Sequence, residues 1–181
     1  MTARFLLVTA ALLGLGSACP DEQLCANLDC GSCGNACCKL EIVVNAMSTE
    51  AVMSALNASI HKGGPDGSYR ASIMNGAVTT GFSDLRPYNV SADFLGQAIH
   101  TTNAPNYYND TIDLAVAPKT DAGPAGTVIR AFSISQVGGA YCDAGQNYYN
   151  IMKLVSSIEW SSGYYGGDAG LDGSCPTATV A

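Results

Sequence analysis

The sequence has no apolar run long enough to cross a bilayer as a helix. Its most apolar stretch is Phe5 to Leu15, whereas a membrane-spanning helix needs about 20 apolar residues. Basic residues are also few: 8 Lys and Arg stand against 15 Asp and Glu, and the formal net charge is −7. We therefore expect a soluble domain without stable membrane insertion, and the acidic balance disfavours nucleic acid as a partner.

The sequence also lacks a recognisable catalytic or metal-binding motif. The two histidines, His61 and His100, have no Ser or Cys motif beside them. The acidic residues do not follow the ligand spacing of an EF-hand loop and form no evident glycosidase pair. We therefore assign no catalytic residue, no metal ligand and no cofactor, and the absence of these motifs favours a protein that is not an enzyme.

The first eighteen residues, MTARFLLVTAALLGLGSA, have the pattern of a secretory signal peptide. One basic residue precedes a short apolar run, and small residues follow it. We therefore expect a secreted, extracellular protein and assign residues 1–18 to the signal. Three glycosylation sequons, at Asn57, Asn89 and Asn109, fit a eukaryotic secretory route.

Six of the eight cysteines fall in the segment CPDEQLCANLDCGSCGNACC, residues 19–38. Only Cys30 and Cys33 have the spacing of a zinc ligand pair. The same CGSC is followed by Gly34, where a papain-type thiol centre has Trp or Tyr. An even number of cysteines in an oxidising compartment predicts four disulfides, formed by Cys19, Cys25, Cys30, Cys33, Cys37, Cys38, Cys142 and Cys175.

The pairing within these disulfides is open, with one restriction. Cα atoms of adjacent residues are about 3.8 Å apart, which is below the usual span of a disulfide, so Cys37 and Cys38 should have different partners. Residues 19–38 contain no aromatic side chain, so they lack the rings on which sugar-binding disulfide modules stack their ligands. We interpret this segment as a structural cap that braces the domain.

Residues 39–160 predict an α+β domain. A β-branched, apolar strand at 39–46 is followed by a helix that Ser48 can cap, with apolar residues at helical spacing. A second amphipathic helix is predicted at about 145–160, and residues 161–181 form a Gly-rich tail. We expect an antiparallel sheet with two main helices on one face, its remaining strands at 68–80, 94–102, 111–117 and 127–137.

Residues 110–158 resemble the end of the domain-of-unknown-function family fourteen-ninety-nine. The shared features are a strand of alternating acidic and aliphatic residues, a Ser-rich strand, a Val-Gly step, an Asp-x-Gly-x-Asn turn and a helix. Their counterparts are Asp113, Ser133–Ser135, Val137–Gly138 and Asp143–Asn147. Ile134 stands where the family has Arg, and the family lacks a cysteine cap. The resemblance implies a compact domain of mixed helix and strand, and no activity is established for that family.

Several polar and aromatic residues are candidates for ligand contact. Asp143 and Asn147 could hold a ligand through side-chain oxygens, although Asp and Asn at the start of a helix more often cap it. Tyrosine pairs flanked by Asn or Gly could contact sugars, or one ring could pack while the other faces outward. The candidate pairs are Tyr107 with Tyr108 and Tyr148 with Tyr149, and Tyr164 with Tyr165 is a third such pair.

Two functions from different classes are consistent with the sequence. The first is a secreted, disulfide-stabilised binding or structural module, whose ligand is an unknown small molecule, glycan or protein. The second is a secreted hydrolase or isomerase whose residues meet only in the fold, for instance His100 with a carboxylate such as Asp113.

Overall fold

The computed structural model describes residues 35–160, apart from 75–76, 79–80, 104, 122–123 and 141–142, together with the strand 164–166. The predicted signal peptide, most of the predicted cap, Cys142 and Cys175 lie outside the described residues. No helix in the part of the chain so described is long and apolar enough to span a membrane.

Seven strands form one sheet in which every neighbouring pair is antiparallel. The strands are β1 (Cys37–Asn45), β2 (Tyr69–Ala71), β5 (Phe82–Asp84), β6 (Phe94–Thr101), β7 (Asn109–Pro118), β8 (Gly126–Ser135) and β9 (Tyr164–Gly166). Their spatial order is β2, β6, β7, β8, β1 and β9, and β2 and β5 pair with the two ends of β6. A separate hairpin joins β3 (Ile73–Met74) to β4 (Ala77–Val78).

Strand β7 shows how the sequence selects the buried face of the sheet. Ile112, Leu114 and Val116 alternate along it and are all fully buried. Because consecutive strand residues point to opposite faces, these side chains share one face with the residues opposite them in β6 and β8. The core lies against this face, which we call the inner face.

Two helices complete the core on the inner face. Helix α1 (Thr49–His61) begins after Ser48, whose Oγ accepts a hydrogen bond from the N–H of Ala51. Helix α2 is Gln146–Ser156. Both contribute apolar side chains to one cluster with the strands, namely Val52, Leu56, Ile60, Ile151, Leu154 and Val155. The α+β class and the antiparallel sheet with two helices are therefore confirmed.

Some predicted boundaries were wrong. The predicted strand at 68–80 is three short strands, β2 to β4, and β5 with a 3₁₀ helix at Arg86–Tyr88 follows where no regular element was expected. Helix α2 ends at Ser156, four residues before its predicted end. The segment assigned to a Gly-rich tail contains β9, which pairs with β1. β9 pairs with Ile42–Val44 and so covers that part of the edge of β1, where backbone groups would otherwise be unpaired.

Candidate functional site

A cluster of buried polar side chains joins α2 to the inner face of the sheet. Asp110 lies on β7, Ser133 on β8, and Asn147 and Asn150 on α2, and all four are buried. The Asn150 side-chain amide donates to Asp110 Oδ2 at 2.8 Å, and Ser133 Oγ donates to Asn147 Oδ1 at 2.6 Å. We call these four residues the polar clasp, because they hydrogen-bond the helix to two neighbouring strands.

The polar clasp continues into the start of α2. Asp143 Oδ2 accepts from the backbone N–H of Asn147 at 2.7 Å and from its side-chain amide at 2.6 Å. Asp143 Oδ1 accepts from the N–H of Gly145 at 2.9 Å. Asn147 also donates to the carbonyl of Ala36 at 3.1 Å. The Asp143 oxygens are thus engaged at the start of the helix, and the Asn147 oxygen accepts from Ser133. The Asn147 side-chain nitrogen holds the chain before β1.

Asp110 is a carboxyl group in a poorly solvated position. Burial raises its pKa above the ordinary value, and a nearby carboxylate, Asp143, acts in the same direction. Hydrogen bonds from Asn150 and Ser135 oppose this shift. The charged form of Asp110 therefore depends on the donors of the polar clasp for its stability.

The sequence-predicted pair of His100 and Asp113 does not form. His100 lies opposite Asp110 on the inner face, whereas Asp113 lies opposite Gln97 on the other face and accepts a hydrogen bond from its amide. The carboxylate near His100 is instead Asp66, with Oδ2 3.7 Å from Nε2. The strand register explains the error. Asp110 lies opposite His100, and Asp113 is three residues further along the same strand, so its side chain points to the other face.

His100 is only 4% exposed, and its ring lies 4.6 Å, centroid to centroid, from that of Tyr69. Its buried Nδ1 has no hydrogen-bond partner among the described residues. Burial lowers the pKa of His100, against the opposing effect of Asp66. Tyr69 donates its hydroxyl proton to the carbonyl of Asn150 at 2.8 Å, and burial raises the pKa of this tyrosine.

We expect H100Q to lose less of its free energy of unfolding than the wild type does as the pH falls from 7 to 5. The folded-state pKa of His100 lies below its unfolded value of about 6.5, so protonation favours the unfolded chain. The stability that comes from keeping His100 neutral is fully present above the unfolded-state pKa. It is lost as the pH falls from about 6.5 through the folded-state pKa. Urea unfolding from pH 7 to pH 5 measures this, with H61Q as the control for an exposed histidine. Equal slopes for H100Q and the wild type would refute it.

The tyrosine pairs occupy two kinds of position. Tyr148 packs against the core while Tyr149 faces outward, and their rings meet edge to face at 5.5 Å. This is the structural arrangement that the sequence offered as one alternative. Tyr107 and Tyr108, before β7, are both exposed, at 72% and 47%. Of the third pair only the backbone is described, in β9.

Cys37 and Cys38 begin β1 and are both buried and disulfide-bonded. As consecutive strand residues they point to opposite faces. The six other cysteines lie outside the described residues, so the arrangement of four disulfides stays a prediction.

The sequence reasoning missed most of the polar clasp, although the signal was present. Asp110 extends the alternation of Ile112, Leu114 and Val116, which places it on the buried face. Asn147 and Asn150 fall at helical spacing with the buried Ile151 and Leu154. Polar residues at positions that the pattern reserves for the core are the mark of a buried network.

Among the residues that the structure describes, no three His, Cys, Asp or Glu side chains group as metal ligands. A shallow, open and mainly apolar cleft of about 420 Å³ lies between the start of α1 and the β7–β8 turn. Met47 and Pro118 help to line it, and it contains none of the predicted site residues.

Comparison with known proteins adds no assignment. No protein-family model, curated protein sequence or solved structure matches the chain. The resemblance of residues 110–158 to a family of unknown function therefore stays a prediction.

Proposed function

We propose that this protein is a secreted, disulfide-stabilised binding module whose contact surface is the loop between β6 and β7. The observation that carries the proposal is the pair of exposed rings, Tyr107 and Tyr108, on this loop. Exposed aromatic side chains are favoured contact groups because they bring a large apolar area and a hydroxyl to one place. We call the described residues of this loop, 102–103 and 105–108, the tyrosine loop.

The tyrosine loop is held in shape by one side chain at its base. The hydroxyl of Thr102 donates to the carbonyl of Asn106 at 2.8 Å and accepts from the N–H of Tyr108 at 2.8 Å. The N–H of Thr102 also donates to the carbonyl of Tyr108 at 2.9 Å. Residues that hydrogen bonds already hold in place before binding lose less conformational entropy when they meet a ligand.

The residues beside the rings favour a glycan over an apolar ligand. Asn106 is exposed and directly precedes Tyr107, so an amide stands beside the rings. Rings that cover the apolar face of a sugar, with amides that reach its hydroxyls, form a common kind of carbohydrate contact. The net charge of −7 also favours a neutral or cationic ligand over an anionic polymer.

The alternative, a secreted hydrolase or isomerase, has weaker support. Its candidate base, His100, is almost fully buried, and the carboxylate that the sequence offered lies on the other face. Asp143 and Asn147 are committed to the helix start. The polar groups that could do chemistry are thus engaged in holding the fold.

A screen of the full chain against an array of immobilised neutral oligosaccharides tests the proposal. We expect binding to a subset of them, and we expect Y107S/Y108S to lose at least about tenfold in affinity, since a buried aromatic contact contributes more than about 1 kcal/mol. The melting temperature should not change because both rings are exposed. The matched control is Y88S, which removes a tyrosine that is equally exposed in the unglycosylated chain. Equal binding by the wild type and the double variant would contradict the proposal.

A further inference from the structure

The three sequons differ in the room that the fold leaves around the asparagine. Asn57 lies in α1, and its Oδ1 is buried without a hydrogen-bond partner among the described residues. This oxygen sits against Gly81, where an added Cβ would lie only 1.8 Å from it. A sugar attached to the Asn57 amide would have to displace this packing.

Asn109 is held within the sheet. It is half-buried in β7, a strand that is paired on both sides. Its Oδ1 accepts from Thr101 Oγ1 at 2.8 Å and from Arg70 Nη2 at 3.4 Å. A glycan at this position would disturb an amide that already links neighbouring strands.

Asn89 is in the opposite situation. It follows the 3₁₀ helix with φ of 53° and ψ of 46°, and both Asn89 and Ser91 are exposed. No hydrogen bond engages the Asn89 side-chain amide in the part of the chain that the structure describes. Asn tolerates a positive φ better than most residues. This backbone conformation explains the Asn at position 89, but it does not explain the Ser at position 91.

A second observation at the same place is an uncovered pair of apolar side chains. Tyr88 is 72% exposed and Val90 is 55% exposed, and they flank Asn89 in the chain. Because each of them is one residue from Asn89, both are within reach of a sugar attached to Asn89.

We propose that Asn89 carries an N-linked glycan, that Asn57 and Asn109 do not, and that the first sugars cover Tyr88 and Val90. In the reaction, the Asn89 amide nitrogen forms a bond to the anomeric carbon of a lipid-linked oligosaccharide diphosphate. The bond from that carbon to the phosphate oxygen breaks, the lipid diphosphate leaves, and the amide loses one proton to the transferase. The inference rests on the secretory route of the proposed function.

The test is expression of the full chain behind a host secretory leader in eukaryotic cells. Peptide mapping after enzymatic glycan removal measures occupancy, because each released site becomes Asp. We expect occupancy at Asn89 only, its loss in S91A, and its retention in S59A. Occupancy at Asn57 or Asn109, or a secreted, folded chain with Asn89 bare, overturns the assignment. The melting temperature of S91A reports on folding, and Asn89 itself stays in place.

Nitration of tyrosine tests whether the glycan covers its neighbours. Tyr107 is as exposed as Tyr88 in the chain alone, so it serves as an internal control. We expect Tyr88 to react several-fold more slowly than Tyr107 in the glycosylated protein and at a similar rate in S91A. Equal rates in both proteins overturn the covering role. Parallel expression from the chain's own residues 1–18 tests the secretory route separately, so failure of the route and failure of the site are distinguishable.

Discussion

Replacing Asn150 with alanine is expected to lower the free energy of unfolding by about 2 to 4 kcal/mol at pH 7. The substitution removes the donor to Asp110 Oδ2 at 2.8 Å and leaves a buried carboxylate without it. A buried charge that loses its partner costs more than the bond itself contributes, because the group is already removed from water. Urea unfolding with the disulfides intact measures the change.

The matched control for this experiment is Q146A. Gln146 donates to Asn150 Oδ1 at 2.7 Å from a half-buried position, so its loss removes one hydrogen bond without stranding a charge. We expect a cost of about 0.5 to 1.5 kcal/mol. If N150A is no more destabilised than Q146A, the polar clasp does not hold α2 to the sheet in the way described.

The effect of N150A should also depend on pH. The pKa of Asp110 is raised by burial, so the folded state takes up a proton more readily than the unfolded state. The penalty of its charged form is therefore present above the folded-state pKa and disappears as the pH falls through it. We expect the deficit of N150A to shrink from pH 7 to pH 4, because a neutral carboxyl that loses a donor costs less than a charged one.

Replacing Leu114 with alanine is expected to cost about 3 to 5 kcal/mol, the largest effect of a single truncation among these predictions. Leu114 is fully buried in β7, between paired strands and under the helices. Its removal leaves a cavity that the sheet cannot collapse to fill. Urea unfolding measures the loss, provided that the dependence of the free energy of unfolding on urea concentration is the same in both proteins.

L95A provides the comparison for L114A. Leu95 lies on the neighbouring strand β6, on the other face of the sheet, and is 47% exposed. We expect a cost below about 1 kcal/mol, because little apolar area is removed from a buried environment. Similar costs for the two variants would mean that the inner face is assigned wrongly.

The sequence predicted the elements whose pattern is long and regular. We predicted β7 correctly from its alternation and α1 correctly from the helical spacing of Val52, Leu56 and Ile60. In both elements the apolar residues lie on one buried side, so the pattern is visible in the sequence. The region from 68 to 90 was not, since its strands of two or three residues are too short to show a period. Pairing specifies these strands, and not local pattern, since β2 and β5 pair with β6 and β3 pairs with β4.

The site was harder to predict than the fold because its contacts join distant parts of the chain. Asp110 and Asn150 are 40 residues apart in sequence, and no short motif links them. The proposed His100–Asp113 pair failed because sequence proximity does not determine strand register. The sequence identified Tyr107 and Tyr108 as a candidate pair. Only the structure shows that both of these rings are exposed, whereas Tyr148 packs against the core and Tyr149 faces outward.

The most direct test of the central claim, that binding resides in the tyrosine loop while the polar clasp only holds the fold, is a side-by-side affinity measurement. An oligosaccharide that binds in the array is titrated into the wild type, Y107S/Y108S and N150A, at a temperature where all three are folded. We expect the loop variant to lose at least about tenfold in affinity and N150A to bind like the wild type. Loss of binding in folded N150A with retained binding in Y107S/Y108S would contradict the account and place the function in the buried cluster.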